Sequence, residues 1–140
     1  MRAVLEKGKA FRFEARGTSM LPLIRDGDVV TVSPLSGAEP RTGDVVAFAD
    51  PGGDRVRIHR IVKTGNGAYL LKGDHDPAED GLFSPEAILG LVARVERGGR
   101  AVRLGPALRS PVIARLSRSF LLTRLYRRAR RAFGRRAGSA

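Results

Sequence analysis

The 140-residue chain has no cysteine and no tryptophan. Without cysteine there can be no disulfide, thiolate metal site or cysteine nucleophile. The compartment stays open, because a domain of this size folds without bridges. The lack of tryptophan weakens any reading built on aromatic stacking. No apolar run approaches the roughly eighteen residues of a spanning helix. Residues 1–10 carry charges throughout and offer no hydrophobic stretch to serve as a signal peptide. The expected location is therefore the compartment of synthesis, cytoplasmic by default. Acidic side chains are missing from residues 97–140, which hold 13 arginines, whereas residues 1–96 hold 13 basic and 14 acidic groups. The net charge of +12 thus belongs to the tail, as for an interaction segment attached to an ordinary globular body.

What is present reads as short strands. Residues 11–16 alternate apolar and polar side chains before Gly17. Asp28–Val32 and Asp44–Phe48 are β-branched or apolar runs, each entered through a glycine. Over residues 55–62 the period is two, with Val56, Ile58, Arg60 and Val62 on one face and Arg57, His59 and Ile61 on the other. Asn66-Gly67 is a hairpin signal leading to Tyr69-Leu70-Leu71, and Gly98-Gly99 separates Leu91–Arg97 from Arg100–Leu104. Gly27-Asp28 and Gly43-Asp44 read as turns that their aspartates brace by side chain to backbone hydrogen bonds. After Pro106 the character becomes helical, with Ser110 as N-cap and Pro111 at the first helical position. Val112, Ile113, Leu116 and Phe120 fall on one face of that helix. Leu122, Leu125, Tyr126, Ala129 and Phe133 fall on another.

The chemistry concentrates in Gly17-Thr18-Ser19-Met20-Leu21-Pro22 and in His59. A serine hydroxyl is a weak nucleophile until a base takes its proton, and histidine titrates near the useful pH. A carboxylate should hold the imidazole, and Asp74, Asp76 and Asp80 all lie in the stretch after Lys72. Ser19, His59 and one of these aspartates are candidates for an acyl-transfer triad. Asp74-His75-Asp76 lacks a defined ligand set for a metal, and His75 and Asp76 read as solvated loop charges.

Four ordered blocks over residues 11–96 resemble the signal peptidase I family and its relatives, the LexA-like self-cleaving proteins. They are Ser19-Met20-x-Pro22 with Asp26-Gly27-Asp28, then Gly43–Phe48, then His59-Arg60-Ile61-Val62, then Lys72-Gly73-Asp74 with Asp80. Gly90-Leu91-Val92 resembles the closing strand. Histidine stands where most bacterial signal peptidases have lysine, as in the archaeal and endoplasmic-reticulum branch. The resemblance implies an antiparallel, mainly β domain over residues 1–104, followed by a basic amphipathic helical extension over 105–140. It implies a serine endopeptidase with Ser19 as nucleophile, His59 as base and Asp80 orienting it, with Asp74 supporting the site or taking that role. Met20 would line the floor, Pro22 would shape the turn, and no metal or organic cofactor would be needed. Gly17 replaces a serine whose hydroxyl serves the oxyanion in much of the family, which leaves Gly17, Thr18 and the Ser19 N–H as the local support. Membrane-bound relatives carry a span just before the nucleophile, where this chain has eighteen residues and no span.

The expected partner is an extended peptide or precursor protein. For the Arg115–Arg136 stretch the preferred reading is contact with an anionic membrane surface. A solvated helix face is the plainer one. Nucleic acid ranks third, because no recognition motif accompanies the arginines. The other functional classes are a LexA-like self-cleaving regulator and a non-catalytic binding module.

Overall fold

A computed structural model describes residues 2–52, 55–118 and the single positions 124, 128, 130 and 131. Its order is a short helix α1 (Arg2–Glu6), then strands β1 (Phe11–Glu14), β2 (Val29–Ser33), β3 (Val45–Ala49), β4 (Val56–Gly65), β5 (Ala68–Lys72), β6 (Gly81–Phe83), β7 (Ile88–Arg97) and β8 (Arg100–Ala101). A 3-10 turn (Gly105–Leu108) and helix α2 (Pro111–Arg118) follow. The strands form one antiparallel sheet in the order β1-β2-β7-β3-β4-β5-β6, with β8 hairpinned onto β7. The mainly β expectation therefore holds.

Strand β7 is inserted between β2 and β3. It ties the β1–β2 hairpin to the β3–β6 meander. Strand β3, in the middle, is buried on both faces, which explains why Val45–Phe48 is a continuous apolar run and does not alternate. Val45 and Ala47 join a core with Val30, Val32, Ile58, Val92 and Val95, while Val46 and Phe48 join a second with Ile61, Leu71 and Ile88. Each of the larger of these side chains, Ala47 apart, contributes roughly 1.5–3 kcal/mol by leaving water.

The turn chemistry behaves as read. Asp28 Oδ2 accepts the Arg25 N–H and Asp44 Oδ2 accepts the Arg41 N–H, both at 2.8 Å. Asn66 and Gly67 both have positive φ, 51° and 69°, as a tight hairpin with matching twist requires. Three pieces were not foreseen: α1, whose Leu5 enters the core; β6, with its three residues; and the turn at Gly105–Leu108.

Ser110 Oγ caps α2 by accepting the Ile113 N–H at 3.1 Å, in line with the N-cap reading. The most deeply buried residues of α2 are not those of its apolar stripe, of which Ile113 and Leu116 are half-buried. Ala114 and Ser117 are buried, whereas Val112 is 62 % exposed. The reason is a polar anchor that apolar periodicity does not reveal: Lys72 Nζ, buried at the end of β5, donates to Ser117 Oγ at 3.0 Å and to the Gly73 carbonyl at 3.1 Å. Burial lowers the Lys72 pKa, against the pull of Asp74 and neighbouring carboxylates. The second apolar helix face, Leu122 to Phe133, and Phe120 lie outside the described residues; Arg124, Arg128, Arg130 and Arg131 are exposed. No helix among the described residues is long and apolar enough to cross a membrane.

Candidate active site

Ser19 sits in the long connection from β1 to β2. The base of this loop is closed by Ala15 N–H to Asp28 O at 2.7 Å and Gly27 N–H to Ala15 O at 2.8 Å. Within it, Gly17 has a φ of 88°, a conformation suited to glycine, and donates its N–H to Asp26 Oδ1 at 2.8 Å. A turn follows in which Leu21 N–H meets Thr18 O, while Leu23 and Ile24 N–H meet Met20 O. Met20 and Ile24 are buried in the core beneath it, so the serine is presented by a turn with a fixed floor. The Leu21–Pro22 peptide is cis, and Pro22 is exposed.

The Gly73–Asp76 segment clasps this turn. His75 N–H donates to the Ser19 carbonyl at 2.9 Å, and Asp74 N–H approaches Met20 Sδ at 3.5 Å. The fit is tight at Gly73, where a Cβ would lie 2.7 Å from the Ser19 carbonyl oxygen and 2.5 Å from Asp76 Oδ2.

His59 lies on β4 opposite Val46 and is 1 % exposed. Its ring packs against Phe48, with centroids 5.6 Å apart. Nδ1 is hydrogen-bonded to Asp80 Oδ2, and Nε2 lies 3.6 Å from Asp76 Oδ2. Asp80, which immediately precedes β6, is held by its own N–H on the Leu71 carbonyl at 2.8 Å. Ser19 and His59 line one cleft of about 410 Å³, walled by Phe13–Gly17 on one side and Arg55–Ile58 on the other. No hydrogen bond joins Ser19 Oγ to the imidazole among those of the described residues. An unliganded site commonly holds nucleophile and base this loosely.

The two candidate aspartates have separate partners. Asp80 touches the imidazole; Asp74 gives both oxygens to Arg60, with Nε–Oδ1 and Nη2–Oδ2 each at 2.8 Å. Arg60, fully buried, spends Nη1 on the Gly43 and Ala107 carbonyls, both at 2.8 Å. Asp74 is therefore the buried counter-ion of Arg60 beneath the serine turn, and the imidazole Nδ1 is bonded to Asp80. Asp76 is closer to the chemistry than a solvated loop charge would be.

Around the turn, the Gly17 N–H is already committed to Asp26. The Ser19 N–H and the exposed Thr18 hydroxyl remain as local donors for a developing oxyanion. His59, Asp76 and Asp80 each offer a ligand atom, all within 4.8 Å of one another. A cation bound there would compete with the His59–Asp80 hydrogen bond. Asp26 and Arg57 received no role from sequence. A period-two reading already put Arg57 on the His59 face, and it was the one available signal.

Compared with known proteins, residues 1–93 match the family model described as Peptidase S24-like. No curated protein matches the chain.

Proposed function

The chain belongs to the Peptidase S24-like family, and on that premise we propose that it is a serine endopeptidase working through Ser19, His59 and Asp80 by the histidine-based route of the Ser-His signal peptidases. The carrying observation is that His59, bonded through Nδ1 to Asp80, shares one cleft with Ser19.

The chemistry follows from the roles. Ser19 Oγ attacks the scissile carbonyl carbon while His59 Nε2 takes its proton. Asp80 on Nδ1 fixes the tautomer and stabilises the imidazolium. Collapse of the tetrahedral intermediate breaks the C–N bond, and His59 returns the proton to the leaving amine. A water then attacks the Ser19 ester, giving its proton to His59, and the carboxylic acid leaves as the serine is restored. Donors at the oxyanion are worth about 2.7–4 kcal/mol each; the Ser19 N–H and the Thr18 hydroxyl are assigned to that task.

The substrate is an extended segment of a precursor or leader peptide. Among the described residues β1 is an edge strand, and β4 pairs with β5 from Arg60 onward, leaving Val56–His59 without a strand on that side. The cleft lies between these two free edges, the geometry for strand addition. The arginine-rich tail is assigned to an anionic membrane surface, which liposome flotation with and without residues 119–140 tests.

Purified chain should cleave such a precursor and label with a serine-directed phosphonate. Ser19→Ala and His59→Ala should each lower kcat by at least about 10³-fold. Wild-type turnover in both variants would defeat the assignment. The family resemblance also favours a second reading, LexA-like cleavage of the chain's own backbone. Intact-mass measurement over time distinguishes the two, since cleavage in cis is independent of enzyme concentration.

A further inference from the structure

Asp80 has two carboxylate oxygens, and His59 uses one. The other, Oδ1, lies 3.3 Å from Arg57 Nη2. The second arm of the same guanidinium, Nη1, lies 3.4 Å from Asp50 Oδ1. Its centre stands 5.6 Å from the centroid of the Phe48 ring, the ring that also packs on His59. Asp50 directly follows β3, and its N–H bonds the Arg55 carbonyl at 3.0 Å, closing the β3–β4 connection. Asp50, Arg57, Asp80 and His59 thus form a chain of alternating charge, anchored at the sheet and ending at the imidazole.

This matters because Asp80 sits on a loop. Its backbone is tied at one point, to Leu71, so its carboxylate direction depends on side-chain partners. Arg57 and His59 are two residues apart on β4 and therefore share a face. A planar fork can span two carboxylates and lie over an aromatic ring at once, which an ammonium cannot do.

We propose that Arg57 is a positioning residue: with Asp50 as its anchor, it holds Asp80 aimed at His59 Nδ1. This rests on the triad reading given above. Arg57 also lines the cleft, so a substrate-contact role is the competing account, and the two differ in what they move. Positioning acts on kcat, contact on KM.

The test uses the full chain and a precursor substrate. Arg57→Gln should lower kcat by about tenfold, the usual loss when an outer partner of a site residue is removed, with KM changed by less than about twofold. On an Asp80→Asn background, followed by single-turnover cleavage, the same substitution should change the rate by less than about twofold, because its target is gone. Arg57→Lys should recover part of the loss. An equal effect on both backgrounds, or an effect confined to KM, overturns the proposal. If Arg57→Gln does not fold, Asp50→Asn substitutes for it, with a loss of about threefold that also vanishes on the Asp80→Asn background. Ser19→Ala serves as the separate control. If it still cleaves, the triad and the positioning role fall together; if it is inactive while Arg57→Gln turns over like wild type, the positioning role alone is refuted.

Discussion

Replacing Asp74 by asparagine and Asp80 by asparagine should produce opposite phenotypes, although the two lie in one loop. The Arg60 guanidinium is wholly buried and makes four hydrogen bonds, two to Asp74 and two to backbone carbonyls. Asp74→Asn leaves that cation without its counter-charge, and breaking a buried pair in this way costs about 3–5 kcal/mol. For a domain of this length each kcal/mol moves the melting temperature by roughly 3–4 °C, so the expected fall is about 9–20 °C. Asp80 keeps some contact with solvent, its side chain being 10 % exposed, and its two partners, His59 and Arg57, line the cleft. Asp80→Asn should melt within about 3 °C of wild type yet lose on the order of 10⁴ in kcat, the scale of a misdirected imidazole. Calorimetry and cleavage kinetics on the same preparations decide it. A third variant separates lost charge balance from lost contacts. Arg60→Met combined with Asp74→Leu should cost less than Asp74→Asn alone, because no charge is left stranded. Wild-type melting by Asp74→Asn, or a lower stability for Asp80→Asn than for Asp74→Asn, would show that Arg60 does not depend on this counter-charge.

Gly73→Ala puts a methyl against the Ser19 carbonyl and Asp76, and displacing the nucleophile by about 1 Å should cost roughly 10² in kcat; wild-type turnover would show that the clasp is slack. Lys72 carries a pKa lowered by burial, so the fold disfavours its charged form. Its contribution to stability should be full above the ordinary value of 10.5 and be lost as pH falls through the depressed folded value. Urea unfolding of wild type and Lys72→Met should therefore diverge in favour of wild type as pH rises through the depressed folded value toward 10.5. Parallel pH curves would contradict a desolvated Lys72.

The legible part of the chain was the part governed by local rules. Period-two patterning located most strands to within a few residues, and the Asp28 and Asp44 turns followed from residue type alone. Ser19 and His59 stood out because their chemistry is specific to those side chains. The choice between Asp74 and Asp80 needed the register of β4 against β5, which opposes Arg60 to Lys72 and gives Asp74 to a buried arginine. Likewise the inward face of α2 was set by a Lys72–Ser117 hydrogen bond across 45 positions of sequence. No helical period encodes that. Asp76 was unreadable because a loop has no period, and its approach to Nε2 depends on how Gly73 lies against the serine turn.

The insertion of β7 between β2 and β3 bears on when the protein becomes competent during its own synthesis. Ser19 hangs from the β1–β2 hairpin and His59 from the β3–β6 meander, so both are made early, on separate pieces of sheet. Residues 88–97 are the staple that brings these pieces edge to edge. Non-local pairings of this kind form late in folding. On the proposed roles, a nascent chain ending before Ile88 would carry both groups without the strand that joins their two pieces of sheet, and cleavage would await the emergence of β7.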